Sequence, residues 1–238
     1  MPAVRPVNDV PRGLWWALLV CVALQIAWHA ALPRPQGRLH SLPSPPTAGL
    51  ARALSFGDPM ASAKLGMLWL QAFDTQAGSR IPLRSLNYAE VSAWLTLFLA
   101  LDPRAQYPLL AASRLYAEVA DDARSRRMLE LVATEFARDP ARRWPWLAHA
   151  VYIARHKLKD RALALRYAEQ LASAKAPNIP HWAKQLNIFV LEDMGEVEAA
   201  KILLGGLLAS GQISDPHEQQ FLTQRLGELE NKAKRGIW

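Results

Sequence analysis

Apolar positions along the chain form one unbroken run followed by a series of periodic stripes. From Gly13 to Leu32 the run GLWWALLVCVALQIAWHAAL holds 20 residues without a formal charge. As a helix it is about 30 Å long, the thickness of a bilayer's hydrocarbon core. Trp15 and Trp16 at one end and Trp28 at the other fall where indole rings favour the headgroup boundary. Around Ala27, Ala30 and Ala31 no pair of small residues has the spacing of a signal-peptide cleavage site. Residues 13–32 are therefore expected to remain as a transmembrane anchor in contact with the lipid bilayer, preceded by a short leader at 1–12.

From Pro33 to Pro46 five prolines stiffen the backbone, so 33–47 is expected to be a linker that holds the rest of the chain off the membrane. Beyond it the pattern becomes helical. Asp58-Pro59 opens a helix expected to reach about Gln76 and to carry the apolar residues Leu65, Leu68, Trp69 and Phe73. After a loop through Gly78 and Pro82, Asn87 and Glu90 cap a helix to Leu101, with Val91, Trp94, Leu95 and Phe98 as its core stripe.

Pro103, Pro140 and Pro177 then recur every 37 residues, opening the phrases LDPRAQYP, RDPARRWPW and KAPNIPHW. Two helical patterns follow each phrase, as in stacked helix pairs. The first pair covers about Pro108–Ala120 and Asp122–Ala137, with Met128, Leu129, Val132 and Phe136 on one stripe. The second covers about Pro145–His156 and Asp160–Ala174, with Leu163, Tyr167 and Leu171 aligned. In the third, Trp182, Leu186, Phe189 and Val190 mark one helix, and Val197, Ala200, Leu204, Leu207 and Leu208 the other. Gly195 suits a helix end, and Asp215-Pro216 starts a final helix with Phe221, Leu222, Leu226 and Leu229. No alternating strand pattern or Asn-Gly turn stands out.

Helix pairs, a small residue early in each second helix and a proline closing each unit resemble the tetratricopeptide family. That family's period is about 34 residues and its opening is W-x₂-L-G-x₂-Y, whereas the units at Trp146 and Trp182 lack the Leu-Gly-Tyr part. The phrases SFGDP, LWLQ, LDPR and RWPW also resemble membrane-anchored bacterial repeat proteins of unassigned function. The resemblance, over about Ala48 to Leu229, implies an all-α fold of stacked antiparallel helical hairpins, with 48–238 as one repeat domain, and a general role in binding.

Charge changes this picture little. Lys and Arg exceed Asp and Glu by 28 to 21, but Arg124, Arg126, Arg127, Arg138, Arg142 and Arg143 alternate with Asp121, Asp122, Glu130, Glu135 and Asp139. A dispersed excess of this kind is a solvated helix surface, and no nucleic-acid partner is expected. The only cysteine, Cys21, lies in the apolar run, which excludes a disulfide framework or cysteine metal site in the remainder. The commonest catalytic motifs are missing, so no enzymatic activity and no cofactor are expected.

Aromatic and basic residues gather instead at the starts of successive first helices: Arg104, Tyr107, Arg114, Arg142, Arg143, Trp144, Trp146, His149, His181 and Trp182. Trp, Tyr and Arg dominate binding hot spots because each buries much surface and also hydrogen bonds. They mark a candidate surface for a protein or peptide partner, or else wedges between repeats. The expected protein is a scaffold or assembly factor in a bacterial inner membrane, its helical domain extracytoplasmic, that holds the partner on a concave helical-repeat surface. A purely structural subunit of a membrane machine, and an envelope hydrolase or regulator using His149, His156 and Asp160, stand as alternatives. The two histidines, seven residues apart, lie about 10 Å apart along one helix face, wide for one metal ion.

Overall fold

In a computed structural model of the chain, residues 11–31, 41–73, 75–76, 79–80, 82–211, 213 and 215–235 are described. The leader up to Val10, Leu32 and the linker as far as His40 lie outside them. The chain divides into two units, residues 1–40 with 75–80, and residues 41–74 with 81–238.

The first unit contains helix α1, Arg12–Ala31, whose window Arg12–Ala30 is long and apolar enough to cross a membrane, and none of that window is buried. It also holds a two-residue antiparallel ladder, β1 Thr75–Gln76 and β2 Ser79–Arg80, with Thr75 opposite Arg80 and Gln76 opposite Ser79. The ladder corrects the expected continuation of a helix to Gln76. Two-residue pieces are too short for alternation to be read in sequence.

The second unit is all-helical among its described residues. In chain order it comprises α2 Ala48–Ala53, α3 Pro59–Ala72, α4 Tyr88–Leu101, α5 Tyr107–Arg114, α6 Asp122–Arg138, α7 Pro140–His156 and α8 Arg161–Ser173. It continues with α9 His181–Lys184, α10 Leu186–Met194, α11 Val197–Ala209 and α12 Pro216–Arg235. Each longer helix packs on the next, α3 on α4 and onward through α7 on α8, α8 on α10, α10 on α11 and α11 on α12. In addition α4 meets α6, and α5 meets α7.

Side-chain carboxylates and amides at the expected breaks set the helix starts. Asp58, Asp121, Asp139 and Asp160 accept from the amides of Ala61, Arg124, Arg142 and Leu163, satisfying donors that lack a partner inside the helix. Gly195 ends α10 at φ 83°, a left-handed conformation that costs glycine nothing. The fourth residues of α6, α8 and α11, Ser125, Ala164 and Ala200, are all small and fully buried.

Three boundaries differ from the sequence pattern, each held by a partner distant in sequence. Helix α7 begins at Pro140 rather than Pro145, so Pro145 sits in its second turn without an amide to give the Ala141 carbonyl. The side-chain amide of Asn178 donates to that carbonyl instead. Helix α5 stops at Arg114 and a 3-10 turn at Tyr116–Glu118 follows. The carbonyls of Ala117 and Val119 accept from Ser125 and from the Lys157 ammonium, which pins the end of α7 to this turn. The third unit's first helix is split into α9 and α10 at buried Gln185, which donates to Glu218 of α12 at 2.7 Å.

The linker boundary is also corrected. Leu42 is buried in the main core, the indole of Trp94 donates to the Pro43 carbonyl at 2.7 Å, and Ser44 donates to Glu90 at 3.0 Å. Residues 42–44 therefore belong to the domain, because an apolar side chain and an extended stretch with accepting carbonyls can dock along α4.

The main core runs through α3 to α10, with Leu95, Leu109, Tyr116, Leu129, Leu147 and Leu171 among its most buried members. A smaller cluster, Ile188, Val197, Ala200, Leu204, Ile213, Leu222 and Leu229, joins α10, α11 and α12. The stripes expected on α4, α6 and α8 lie close to prediction. On α3 the stripe is borne out only at Phe73, which packs against the core: Ala63, Met67 and Leu70 are buried, while Leu65, Leu68 and Trp69 are exposed. That helix is apolar on both sides, so periodicity alone does not identify its inner face.

Candidate functional site

The aromatic and basic residues at the helix starts divide into packing elements and a free surface. Trp144 meets Trp182 edge to face, with ring centroids 5.6 Å apart and planes at 74°. On the other flank of α7, the Trp146 indole donates to Gln106 at 2.6 Å. These contacts fix α7 between its neighbours, as edge-to-face rings and satisfied indole N–H groups do. The exposed Tyr107 hydroxyl accepts from Gln71 of α3 at 2.5 Å.

Arg143 is withdrawn from any partner, contrary to its inclusion in the candidate surface. Its guanidinium is buried, pairs with the buried carboxylate of Glu135, and donates to the carbonyls of Glu135 at 2.8 Å and Pro103 at 3.2 Å. Only Arg carries enough donors in a planar fork for such a junction. Arg142 pairs with the cap residue Asp139 at 2.9 Å, Arg104 is exposed with its amide on Asp102, and His181 is exposed at the start of α9.

The Arg114 charge acts on His149, and Tyr152 and His156 continue from His149 along α7. On the outward side of α7, Tyr152 stacks on His149 with centroids 6.0 Å apart and meets His156 at 4.7 Å. Residues 149, 152 and 156 recur at helical spacing, so they form one strip. Burial pushes the His149 imidazole below its ordinary value, and the Arg114 charge adds to this. Its Nε2 is buried without a hydrogen-bond partner. Further along, Arg155 pairs with Asp193 of α10.

Asp160 does not join the histidines. Its carboxylate caps α8 and pairs with Arg126 of α6, and that guanidinium holds it below the usual carboxylate range. Among the described residues no group of three His, Cys, Asp or Glu side chains is placed to hold a metal ion.

Three features lay outside the sequence choice. Tyr152 sits between two singled-out histidines, and the i, i+3, i+7 spacing is the signal that reveals it. A groove of about 660 Å³ follows α6 between α4 and α8, lined by Arg126, Arg127, Glu130, Thr134 and Arg166 among others. There Glu130 accepts from Arg166 at 2.7 Å and from the Tyr167 hydroxyl at 3.0 Å, and burial followed by the Glu130 charge raises the Tyr167 phenol. These partners lie 36 and 37 positions apart, beyond any local spacing rule. An apolar hollow of about 450 Å³ lies where Met67 and Leu68 of α3 face Phe98, Gln106 and Tyr107.

Among the described residues, the class defined is a helical protein, apart from the two-residue ladder, with one N-terminal helix long and apolar enough to span a membrane. Compared with protein-family models, curated proteins and solved structures, the chain matches none.

Proposed function

We propose that the chain is a membrane-anchored scaffold or assembly factor that holds a protein or peptide partner on the outward side of its first helices. The reading places α1 in a bacterial inner membrane with the helical domain on the extracytoplasmic side, and takes α3 to α11 as a tetratricopeptide-like stack. The 37-residue proline period and the small buried residue at the fourth position of α6, α8 and α11 support that stack.

The observation that carries the binding role is the strip Arg114, His149, Tyr152 and His156. Tyr152 is exposed, stacked on the His149 imidazole and tilted against that of His156, the Arg114 charge acts on His149, and the tryptophans on either flank of α7 hold the strip in place. A prearranged aromatic and basic surface binds with little ordering cost, and tethering to the bilayer raises its effective concentration near membrane partners.

The test is co-purification with the intact chain from detergent-solubilised membranes, comparing it with a Arg114→Ala/Tyr152→Ala double variant. Both residues are exposed, so the fold is expected to survive. Loss of a protein from the variant's eluate supports the reading; an unchanged set of co-purifying proteins refutes it. The alternative of a structural subunit gains support from one observation, the exposed apolar side of α2 and α3.

A further inference from the structure

We propose that the outer side of α3, with the turn joining it to α2, rests on a lipid bilayer. This inference depends on the reading of α1 as a membrane anchor. Helix α3 turns Ala63, Met67 and Leu70 to the core, yet its opposite side carries Ala61, Leu65, Leu68 and Ala72, with Trp69 at the edge, its ring packed on Trp94 of α4. Leu65 is 66% exposed and Leu68 62%. An outer side this apolar belongs in an apolar surrounding rather than at a water boundary.

The preceding turn adds to the same surface. Leu54 is exposed, and Phe56 is 98% exposed with its backbone at φ 50°, a region that bulky side chains rarely adopt. The strained backbone presents a whole phenyl ring to the outside. A protruding ring of this kind needs no shaped pocket in a soft hydrocarbon boundary, whereas a protein partner must supply one.

Chain length argues for the bilayer as the occupant. Helix α1 ends at Ala31 and Leu42 is already fixed in the domain core. The residues between them, fully extended, reach at most about 40 Å. The apolar side of α2 and α3 thus starts a few residues past a short tether from the anchor. The ionic groups agree: residues 48–73 carry Arg52 and Lys64 against Asp58 alone, whose carboxylate caps α3. Lys64 borders the apolar side, where its stem can lie along the boundary with the ammonium among phosphates, and Trp69 suits the headgroup level.

The full chain, reconstituted in phosphatidylethanolamine and phosphatidylglycerol vesicles, provides the test. Cys21, the only cysteine, carries a nitroxide label in the unmodified chain. In a Cys21→Ser background, Phe56→Cys, Leu65→Cys and, on exposed Ala209 of α11, Ala209→Cys carry it elsewhere. Collision of the label with oxygen is compared with collision with a water-soluble nickel complex. The oxygen-to-nickel ratio is expected to be several-fold higher at positions 56 and 65 than at 209. Equal ratios at all three overturn the proposal, and so does a label at 65 shielded from both reagents, which marks a protein covering such as a second copy. If position 21 is in lipid while 65 is in water, this inference fails and the anchor stands. If position 21 is itself in water, the anchor reading fails and the proposal with it.

Discussion

Helices α3 and α6 both pack against α4, yet their outer sides differ completely. Inward, α3 offers Ala63, Met67 and Leu70, and α6 offers Met128, Leu129, Val132 and Phe136. Outward, α6 presents Arg126, Arg127, Glu130, Thr134 and Arg138, whereas α3 presents Leu65, Leu68 and Trp69. The shared core dictates the inner residues of both. The outer residues report the medium beyond, water and polar groups along α6 and an apolar surrounding along α3.

Breaking the charged junction of α6 should have the largest effect. Arg143→Met leaves the Glu135 carboxylate buried with only Arg138 as counter-ion, and the unfolding free energy is expected to fall by about 3–5 kcal/mol. Adding Glu135→Leu should restore much of it, as read from urea midpoints of the detergent-solubilised chain. The two helices are compared directly by one residue type: Leu129→Ala on α6 should cost about 2–5 kcal/mol by creating a cavity, while Leu65→Ala on α3 should stay within about 0.5 kcal/mol in the same measurement.

Close approach between α3 and α4 is tested at Gly66. A Cβ there would lie 2.4 Å from the Phe98 ring, so Gly66→Ala should destabilise by about 1–3 kcal/mol in thermal unfolding. Asn178→Ala removes the donor that replaces the missing Pro145 amide and should cost about 1 kcal/mol by the same method.

The smallest effect is the pH dependence at His149. Its folded value lies below the ordinary 6.5, so the unfolded chain binds more protons between the two. Stability is full above about pH 6.5 and declines as pH falls below it. A pH series of urea midpoints should show this decline, and His149→Gln should flatten it.

Much of the second unit was legible because its signals are local. Asp58, Asn87, Asp121 and Asp160 each cap the helix they precede, and the inward stripes of α4 and α6 recur at helical spacing. What escaped depends on partners far along the chain. Asn178 compensates Pro145, Lys157 ties α7 to the turn after α5, and Leu42 enters the core from a proline-rich stretch. The candidate surface was half legible. The choice of Arg114 and His149 identified two members of the strip, but spacing cannot separate a tryptophan that packs, such as Trp146, from one that is free, nor an exposed arginine from one buried on Glu135. The face of α3 was misread because both of its sides satisfy the rule for an inner one.

The claim that the outer side of α3 meets lipid while the strip on α7 meets a protein is tested most directly by site-specific photo-crosslinking of the intact chain in its membrane. A benzophenone side chain replacing Leu65 is predicted to give phospholipid adducts, and one replacing Tyr152 a discrete protein adduct. A protein adduct at position 65, or none at position 152, contradicts the account.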